Sequence, residues 1–173
     1  MNKDDKKSNL ERKILNELLL NCRANLDDIG KKCGCSRYKV GRVIKKLEEN
    51  KTILGYSAII DPRPLNLNYY LLLVKRTPTP LTDKISKILC VGGYNDLFPD
   101  INLDVVDSMY INGYYDFLVT FTANGIAKAK ELCNKILELY SSYIEKIELL
   151  EMVMPFRLER IKIYQPEEKS KIL

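Results

Sequence analysis

The stretch from Asn25 to Ile53 most constrains how this chain can fold, because its pattern predicts two short helices joined by a tight turn. Leu26, Ile29 and Cys33 recur at helical spacing, and Asn25 can cap the helix that they begin. Gly34 is suited to end that helix. A second helix follows almost at once, which is the arrangement of a helix-turn-helix unit.

The second helix is predicted to begin after Ser36, a favoured capping residue. One side of it is apolar and consists of Val40, Val43, Ile44 and Leu47. The other sides carry the cations Arg37, Lys39, Arg42, Lys45 and Lys46. A basic second helix of this kind indicates insertion into DNA, whereas the alternative is a solvated helix whose lysines only keep the protein soluble.

The net charge of the chain is concentrated in its N-terminal third. Residues 1–61 contain 14 Lys and Arg against 9 Asp and Glu, which leaves 14 of each sign in residues 62–173 out of totals of 28 and 23. All of the net charge of +5 therefore lies in the first segment. This distribution is expected if only the N-terminal part binds phosphates.

Length and composition predict two small domains. A chain of 173 residues with 46% hydrophobic residues can bury a core, and the change in charge favours a division at Asp61-Pro62. We predict a DNA-binding domain over residues 1–61, a second domain over residues 62–164 and a flexible tail over residues 165–173. The longest apolar run, Tyr69–Val74, is far shorter than the ~20 residues of a membrane span, so we expect a cytoplasmic protein without a membrane partner.

Five cysteines and the absence of histidine bear on metal and redox chemistry. An odd number of cysteines without regular spacing favours reduced thiols. Cys33 and Cys35 could supply two metal ligands, but no histidine or second close cysteine pair completes a tetrahedral zinc set. We therefore expect no metal and no cofactor, and interpret both residues as small apolar groups that pack the turn.

Periodicity predicts a helical first domain. A helix over about Asn9–Leu20 has an apolar side that can pack on the two helices already described, which gives a three-helix, winged-helix-like unit. A β-rich connecting strand, Ile53–Ile60, is then ended by Asp61-Pro62.

The second domain is predicted to alternate strands and helices. Asn112-Gly113 predicts a tight two-residue hairpin turn between its second and third strands. The order β-α-β-β-α-β makes the fold class α+β and the second domain ferredoxin-like, with helices on one face of an antiparallel sheet. The predicted strands are Tyr69–Arg76, Leu103–Ile111, Tyr115–Thr122 and Ile144–Met154, and the predicted helices are Leu81–Leu89 and Ile126–Tyr140.

Four pieces of the sequence are similar, in their order and spacing, to one known family. They are Lys13-Ile14-Leu15 with Leu18, Ser36–Leu47, Ile53–Pro62 and Tyr110–Phe117. On these pieces the chain resembles the Lrp/AsnC (leucine-responsive and asparagine regulator) family of prokaryotic transcription regulators along almost its whole length. The resemblance implies a DNA-binding domain joined to a ferredoxin-like domain that forms homodimers through its sheet. It also implies larger assemblies such as tetramers or octamers, and in many members an amino acid bound between subunits.

Three features depart from the family pattern. Val43 stands where the family has an arginine, and Lys51 stands where it has a glycine before the wing-like strand, so the base preference cannot be transferred. The segment Cys90–Asn102 is longer and richer in glycine than the family's connection. We expect this segment to reshape or cover the usual ligand pocket.

Two recognition helices held one DNA turn apart, ~34 Å, would enter successive major grooves of a pseudo-palindromic site. We predict base-edge contacts from Arg37, Tyr38 and Arg42, because the N-terminal half of such a helix lies deepest in the groove. For Tyr38 the alternative is a half-buried position beside the turn. The other predicted DNA contacts are Ser36 at the helix start and the phosphate-binding lysines Lys39, Lys45, Lys46 and Lys51.

The resemblance places effector contacts in the loop that contains Asn112, Gly113 and Asp116. The alternative is structural, since Asn-Gly forms hairpin turns and an aspartate there can accept from backbone donors. Two other functions stay open. One is a sirohaem-decarboxylase-like enzyme on the same plan, disfavoured because acid–base catalysis commonly uses histidine. The other is a small-molecule sensor or partner-binding module with a vestigial DNA domain, disfavoured by the charge of residues 1–61.

Overall fold

The computed structural model describes residues 3–91 and 104–163. Their packing divides the chain into two compact units. The first contains the residues up to Ile59 together with the described residues from Phe156 onward, and the second contains the described residues between Ile60 and Pro155. From the sequence, Phe156–Ile163 were predicted to belong to the second domain. In the structure these residues belong to the first unit, and most of them form a separate small hairpin.

Three helices form the body of the first unit: α1 Lys3–Leu20, α2 Leu26–Cys33 and α3 Arg37–Glu49. Each contributes one almost fully buried residue to a common core, namely Ile14, Ile29 and Val40. The predicted three-helix unit is therefore present, and α1 begins before the predicted Asn9.

The turn between α2 and α3 is held by two glycines. Gly34 adopts a left-handed φ of 69°, which glycine tolerates best. At Gly30 a Cβ would lie 2.6 Å from the carbonyl oxygen of Cys35, and the amide of Cys35 donates to the carbonyl of Gly30 at 2.9 Å. The close approach of the two backbones sets where α3 begins.

The prediction of a connecting strand over Ile53–Ile60 is wrong for a single copy of the chain. The structure pairs these residues with no strand within the described ranges. A strand needs a neighbour for its backbone hydrogen bonds, and the local pattern cannot supply one. Tyr56 nevertheless folds back on α3, because its hydroxyl donates to Glu48 Oε1 at 2.9 Å.

The second unit contains a four-stranded antiparallel sheet in the order β2-β3-β1-β4, as a ferredoxin-like domain requires. This confirms the predicted α+β fold class. Its strands are β1 Asn68–Arg76, β2 Asp104–Tyr110, β3 Phe117–Ala123 and β4 Ile144–Glu151, and its helices are α4 Asp83–Val91 and α5 Ile126–Tyr140. A two-stranded hairpin that the sequence did not predict follows, with β5 Arg157–Leu158 and β6 Ile161–Lys162.

The two faces of the sheet differ in burial. On one face Tyr70 and Leu72 are fully buried with Phe121, and they belong to a core that includes buried residues of α5. The opposite face, called here the open face, carries apolar side chains that are half-buried or exposed. Strand register places on it Leu71, Leu73, Met109, Leu118 and Leu150.

The connection between β2 and β3 is not the predicted two-residue turn. Neither Asn112 nor Gly113 has the positive φ that such a turn needs, and the amide of Ile111 donates to the carbonyl of Asp116 at 2.8 Å. Four residues lie between this pair. The amide of Asp116 also donates to the carbonyl of Val74 in β1 at 2.9 Å, which draws the chain toward β1 and widens the loop.

Two predicted features lie outside the described residues. Most of the Cys90–Asn102 segment does, and so does the predicted tail over residues 165–173. Within residues 3–91 and 104–163, none of the helices combines the length and apolar character that crossing a membrane requires.

Candidate nucleic-acid interface

The orientation of α3 is set by its buried side. Val40 and Leu47 are almost fully buried. Because an α-helix advances by ~100° per residue, Tyr38, Arg42 and Lys45 point to the opposite side. All three are exposed, and Tyr38 retains 82% of its accessible surface. The alternative of a half-buried Tyr38 is therefore wrong. We call these three residues the exposed face of α3.

Ser36 has a local structural role at the start of α3. It lies outside the helix with extended backbone angles, and its hydroxyl accepts from the amide of Lys39 at 3.4 Å. Asn25 caps α2 in the same way, accepting from the amide of Asp28 at 2.8 Å. These caps satisfy amides that have no partner within the helix. Ser36 is exposed as well, so its predicted DNA contact stays a prediction.

Arg37 is attached to its neighbours. Its guanidinium lies 3.5 Å from Asp27 at the start of α2 and 5.7 Å from the ring centre of Tyr38. Both contacts are exposed, so each contributes little to stability. They do orient the guanidinium between α2 and the Tyr38 ring, and this makes Arg37 less available to a base than Arg42.

The lysines of α3 fall into two groups. The ammonium of Lys46 lies 2.6 Å from Glu11 of α1, and that of Lys45 lies 3.8 Å from Glu49. Within the part of the chain that the structure describes, the side chains of Lys39 and Arg42 have no such partner. The cations were predicted from the sequence, but their acidic partners were not. Glu11 is far from Lys46 in sequence, and no spacing rule connects them.

Lys51 follows α3 in a left-handed conformation, with φ of 60°. Its amide donates to the carbonyl of Glu48 at 3.1 Å, which closes the C-terminus of the helix. Glycine is favoured at this position because it has no Cβ. The departure from the family pattern at Lys51 therefore places a strained, exposed cation beside the end of α3.

The three predicted effector residues differ in whether they are already bonded within the protein. Asp116 Oδ2 accepts from the amide of Arg76 at 2.8 Å and lies 3.7 Å from the ammonium of Lys75. The Asp116 carboxylate is thus bonded to the end of β1. Asn112 and Gly113 are exposed in the loop. The ammonium of Lys75 also lies 5.6 Å from the ring centre of Tyr114 in the same loop.

The cysteines near the turn are free thiols. Burial, and after it the neighbouring Cys35, raise the pKa of Cys33 above its ordinary value. This keeps the thiol protonated and unreactive at neutral pH. The described residues contain no group of three or more Cys, Asp or Glu side chains arranged to hold a metal ion.

Comparison with known sequences connects both units to transcription regulators. A family model for bacterial regulatory proteins of the crp family matches residues 27–53, which are α2, α3 and the residues just after them. The chain is 27% identical over 151 residues to the proline dehydrogenase transcriptional activator of Rhodobacter capsulatus, covering 84% of this chain and 94% of the relative. It is 29% identical over 126 residues to the leucine-responsive regulatory protein of Haemophilus influenzae, covering 69% and 68%.

Solved structures share the complete fold. An AsnC family transcriptional regulator from Agrobacterium tumefaciens superposes with a TM-score of 0.66 at 20% identity, covering 98% of this chain and 99% of that one. A transcriptional regulator from Neisseria meningitidis, solved as a complex with L-Met, gives 0.66 at 16% identity, covering 91% and 93%. With the helix-turn-helix unit and the ferredoxin-like sheet already described, these likenesses make the chain similar, over most of its length, to DNA-binding transcription regulators of the Lrp/AsnC type.

Proposed function

We propose that this regulator recognises its DNA sites with the exposed face of α3. The observation that carries the proposal is the 82% exposure of Tyr38 on the same side as Arg42, opposite the buried Val40 and Leu47. Exposed Tyr and Arg side chains on one side of a helix can bond to the phosphates and base edges of DNA. The net charge of +5 in residues 1–61 makes duplex DNA the appropriate partner.

We assign base-edge and phosphate contacts to different residues of α3 and of the turn that follows it. Arg42 has no partner within the described chain and can donate two hydrogen bonds to guanine, so we assign it to a base edge together with Tyr38. Arg37, held between Asp27 and the Tyr38 ring, orients that ring. Phosphate contacts fall first to Lys39 and Lys51, which are exposed and have no acidic neighbour among the described residues. Lys45 and Lys46 bind phosphate only in competition with Glu49 and Glu11.

Pairing of two recognition helices requires a dimer, and we assign it to the open face of the sheet. Leu73 and Leu118 stand side by side there, and Met109 and Leu150 are 49% and 46% exposed. Burying this apolar surface against a second copy removes it from water. The dimer then sets the spacing of two α3 helices near one DNA turn, ~34 Å. Tetramers or octamers of such dimers are a further step of the same proposal.

An amino acid is the effector class that we propose. The support is the L-Met complex of the Neisseria meningitidis regulator, whose fold the chain shares. Asn112 and Gly113 are the available contacts in the β2–β3 loop, since the carboxylate of Asp116 already accepts from the backbone of β1. We assign no catalytic activity, because the named relatives are regulators. As a regulator of chromosomal genes, the protein is proposed to work in the cytoplasm.

The experiment starts with selection of duplexes by the full chain from a random pool. Affinities for the selected duplex and for a random duplex are then measured by fluorescence anisotropy at several salt concentrations. Arg42→Ala should lose roughly 1–3 kcal/mol of discrimination between the two duplexes. Lys130→Ala removes the same charge from an exposed site on α5 and should bind both as the unmodified protein does. Equal losses on both duplexes for Arg42→Ala would assign Arg42 to the DNA backbone, and absence of any duplex binding would end the proposal.

A further inference from the structure

Gly41 lies in the middle of α3, where the fold gives no reason for a glycine. Glycine destabilises a helix interior relative to alanine, because it loses more conformational freedom on folding. Gly41 has no positive φ, and a Cβ built there would meet only Leu26 Cδ1, at 3.6 Å. That distance is an ordinary van der Waals contact. An alanine at position 41 therefore fits the folded protein and should stabilise it.

The other two glycines of the helix-turn-helix unit give a contrast. A Cβ at Gly30 would collide with the carbonyl of Cys35 at 2.6 Å, and Gly34 has a left-handed φ of 69°. Folding requires glycine at both positions. Of the three glycines between Leu26 and Glu49, Gly41 is thus the one whose missing side chain the fold does not explain.

The surroundings of Gly41 indicate where the missing side chain matters. Residues three and four positions apart are neighbours on a helix, so Tyr38 and Lys45 border Gly41, and Arg42 follows it directly. These three residues are the exposed face of α3. Gly41 itself is half-buried beside this face, and it has no side chain of its own to cover the helix backbone.

We propose that Gly41 is the point where the backbone of α3 lies against base-pair edges in the major groove. The inference rests on the proposed function of α3 and adds a residue that acts by having no side chain. With a Cβ at this position the helix could not sit as deep, and Tyr38 and Arg42 would be held away from the bases that they contact. Stability and DNA recognition therefore favour different residues at position 41.

The test compares Gly41→Ala with the unmodified full chain in thermal unfolding and in binding to the selected and random duplexes. We expect the unfolding midpoint of Gly41→Ala to rise by a few degrees. Affinity for the selected duplex should fall about tenfold or more, as for overpacking of a close contact, and affinity for random duplex should fall less. Asn134→Ala is the matched control, because it also replaces a weak helix former in a helix interior, at an exposed position on α5. It should raise the midpoint and leave both affinities unchanged.

Each other outcome would overturn the inference. Unchanged affinity in Gly41→Ala would show that nothing lies against the glycine, while equal losses on both duplexes would exclude base edges as the contact. A lower unfolding midpoint would show that the fold itself needs Gly41. A loss of affinity in Asn134→Ala equal to that in Gly41→Ala would trace the effect to stability. If the unmodified chain bound no duplex, the proposed function would fail together with this inference.

Discussion

Replacement of Lys51 by glycine should make the first unit more stable. At a φ of 60° the Cβ of lysine is crowded, which costs about 1–2 kcal/mol, whereas glycine adopts this conformation freely. The bond from the amide of residue 51 to the carbonyl of Glu48, 3.1 Å, does not depend on the side chain and is retained. Glycine also gains freedom in the unfolded chain, which offsets about 0.4–1 kcal/mol. The expected net increase in the free energy of unfolding is about 1 kcal/mol.

Urea unfolding followed by circular dichroism measures this difference. Lys51→Arg is the matched control, since it keeps both the charge and the Cβ, and its stability should equal that of the unmodified protein. Glu159→Gly relieves the same backbone conformation, with φ of 52°, between β5 and β6, and should also stabilise the protein. A Lys51→Gly protein no more stable than Lys51→Arg would refute the strain argument.

The same variants test whether Lys51 binds phosphate. In Lys51→Gly the log–log dependence of affinity on salt should flatten by about 0.9 for each phosphate that the protein no longer neutralises, while Lys51→Arg keeps the slope. A gain in stability combined with an unchanged slope would retain the strain argument and remove Lys51 from the DNA-binding residues.

Three further outcomes follow from the structure. Lys39→Ala should weaken binding to selected and random duplexes equally and flatten the salt slope by about 0.9 per phosphate. Lys46→Ala should flatten the slope less, because the ammonium of Lys46 is paired with Glu11 at 2.6 Å; equal slopes for the two variants would refute this expectation. Leu118→Lys should give monomers by light scattering, with a mass near 20.0 kDa, and should lose operator binding. Leu139→Lys, at an exposed position of α5, should keep the dimer and operator binding; a monomeric unmodified protein would exclude the sheet dimer. The guanidinium of Arg63 holds the pKa of Asp61 below its usual range, so the stability that this carboxylate contributes is present above pH ~3.9 and is lost as the pH falls through its folded pKa. NMR titration of Arg63→Ala should show the pKa of Asp61 returning toward about 3.9, and the exposed pair should contribute no more than about 1 kcal/mol.

The sequence predicted those elements whose signals are local. Asn25 and Ser36 cap the helices that they were expected to cap, and the four strands of the sheet lie close to their predicted ranges. The wide β2–β3 loop could not be predicted, because Asp116 shapes it by bonding to β1, which is distant in sequence. Pairing of Lys46 with Glu11 is likewise set by the packing of α1 on α3. Charge alone identified the basic helix but not which of its cations are free.

The first unit is built from two stretches of the chain that are far apart in sequence. Its helices come from the residues up to Ile59, and its small hairpin comes from the residues after Phe156. A ribosome delivers the chain from the N-terminus at ~5–20 residues per second, so the four-stranded sheet has been synthesised before that hairpin exists. The unit that meets DNA is therefore assembled last, although its helices are made first.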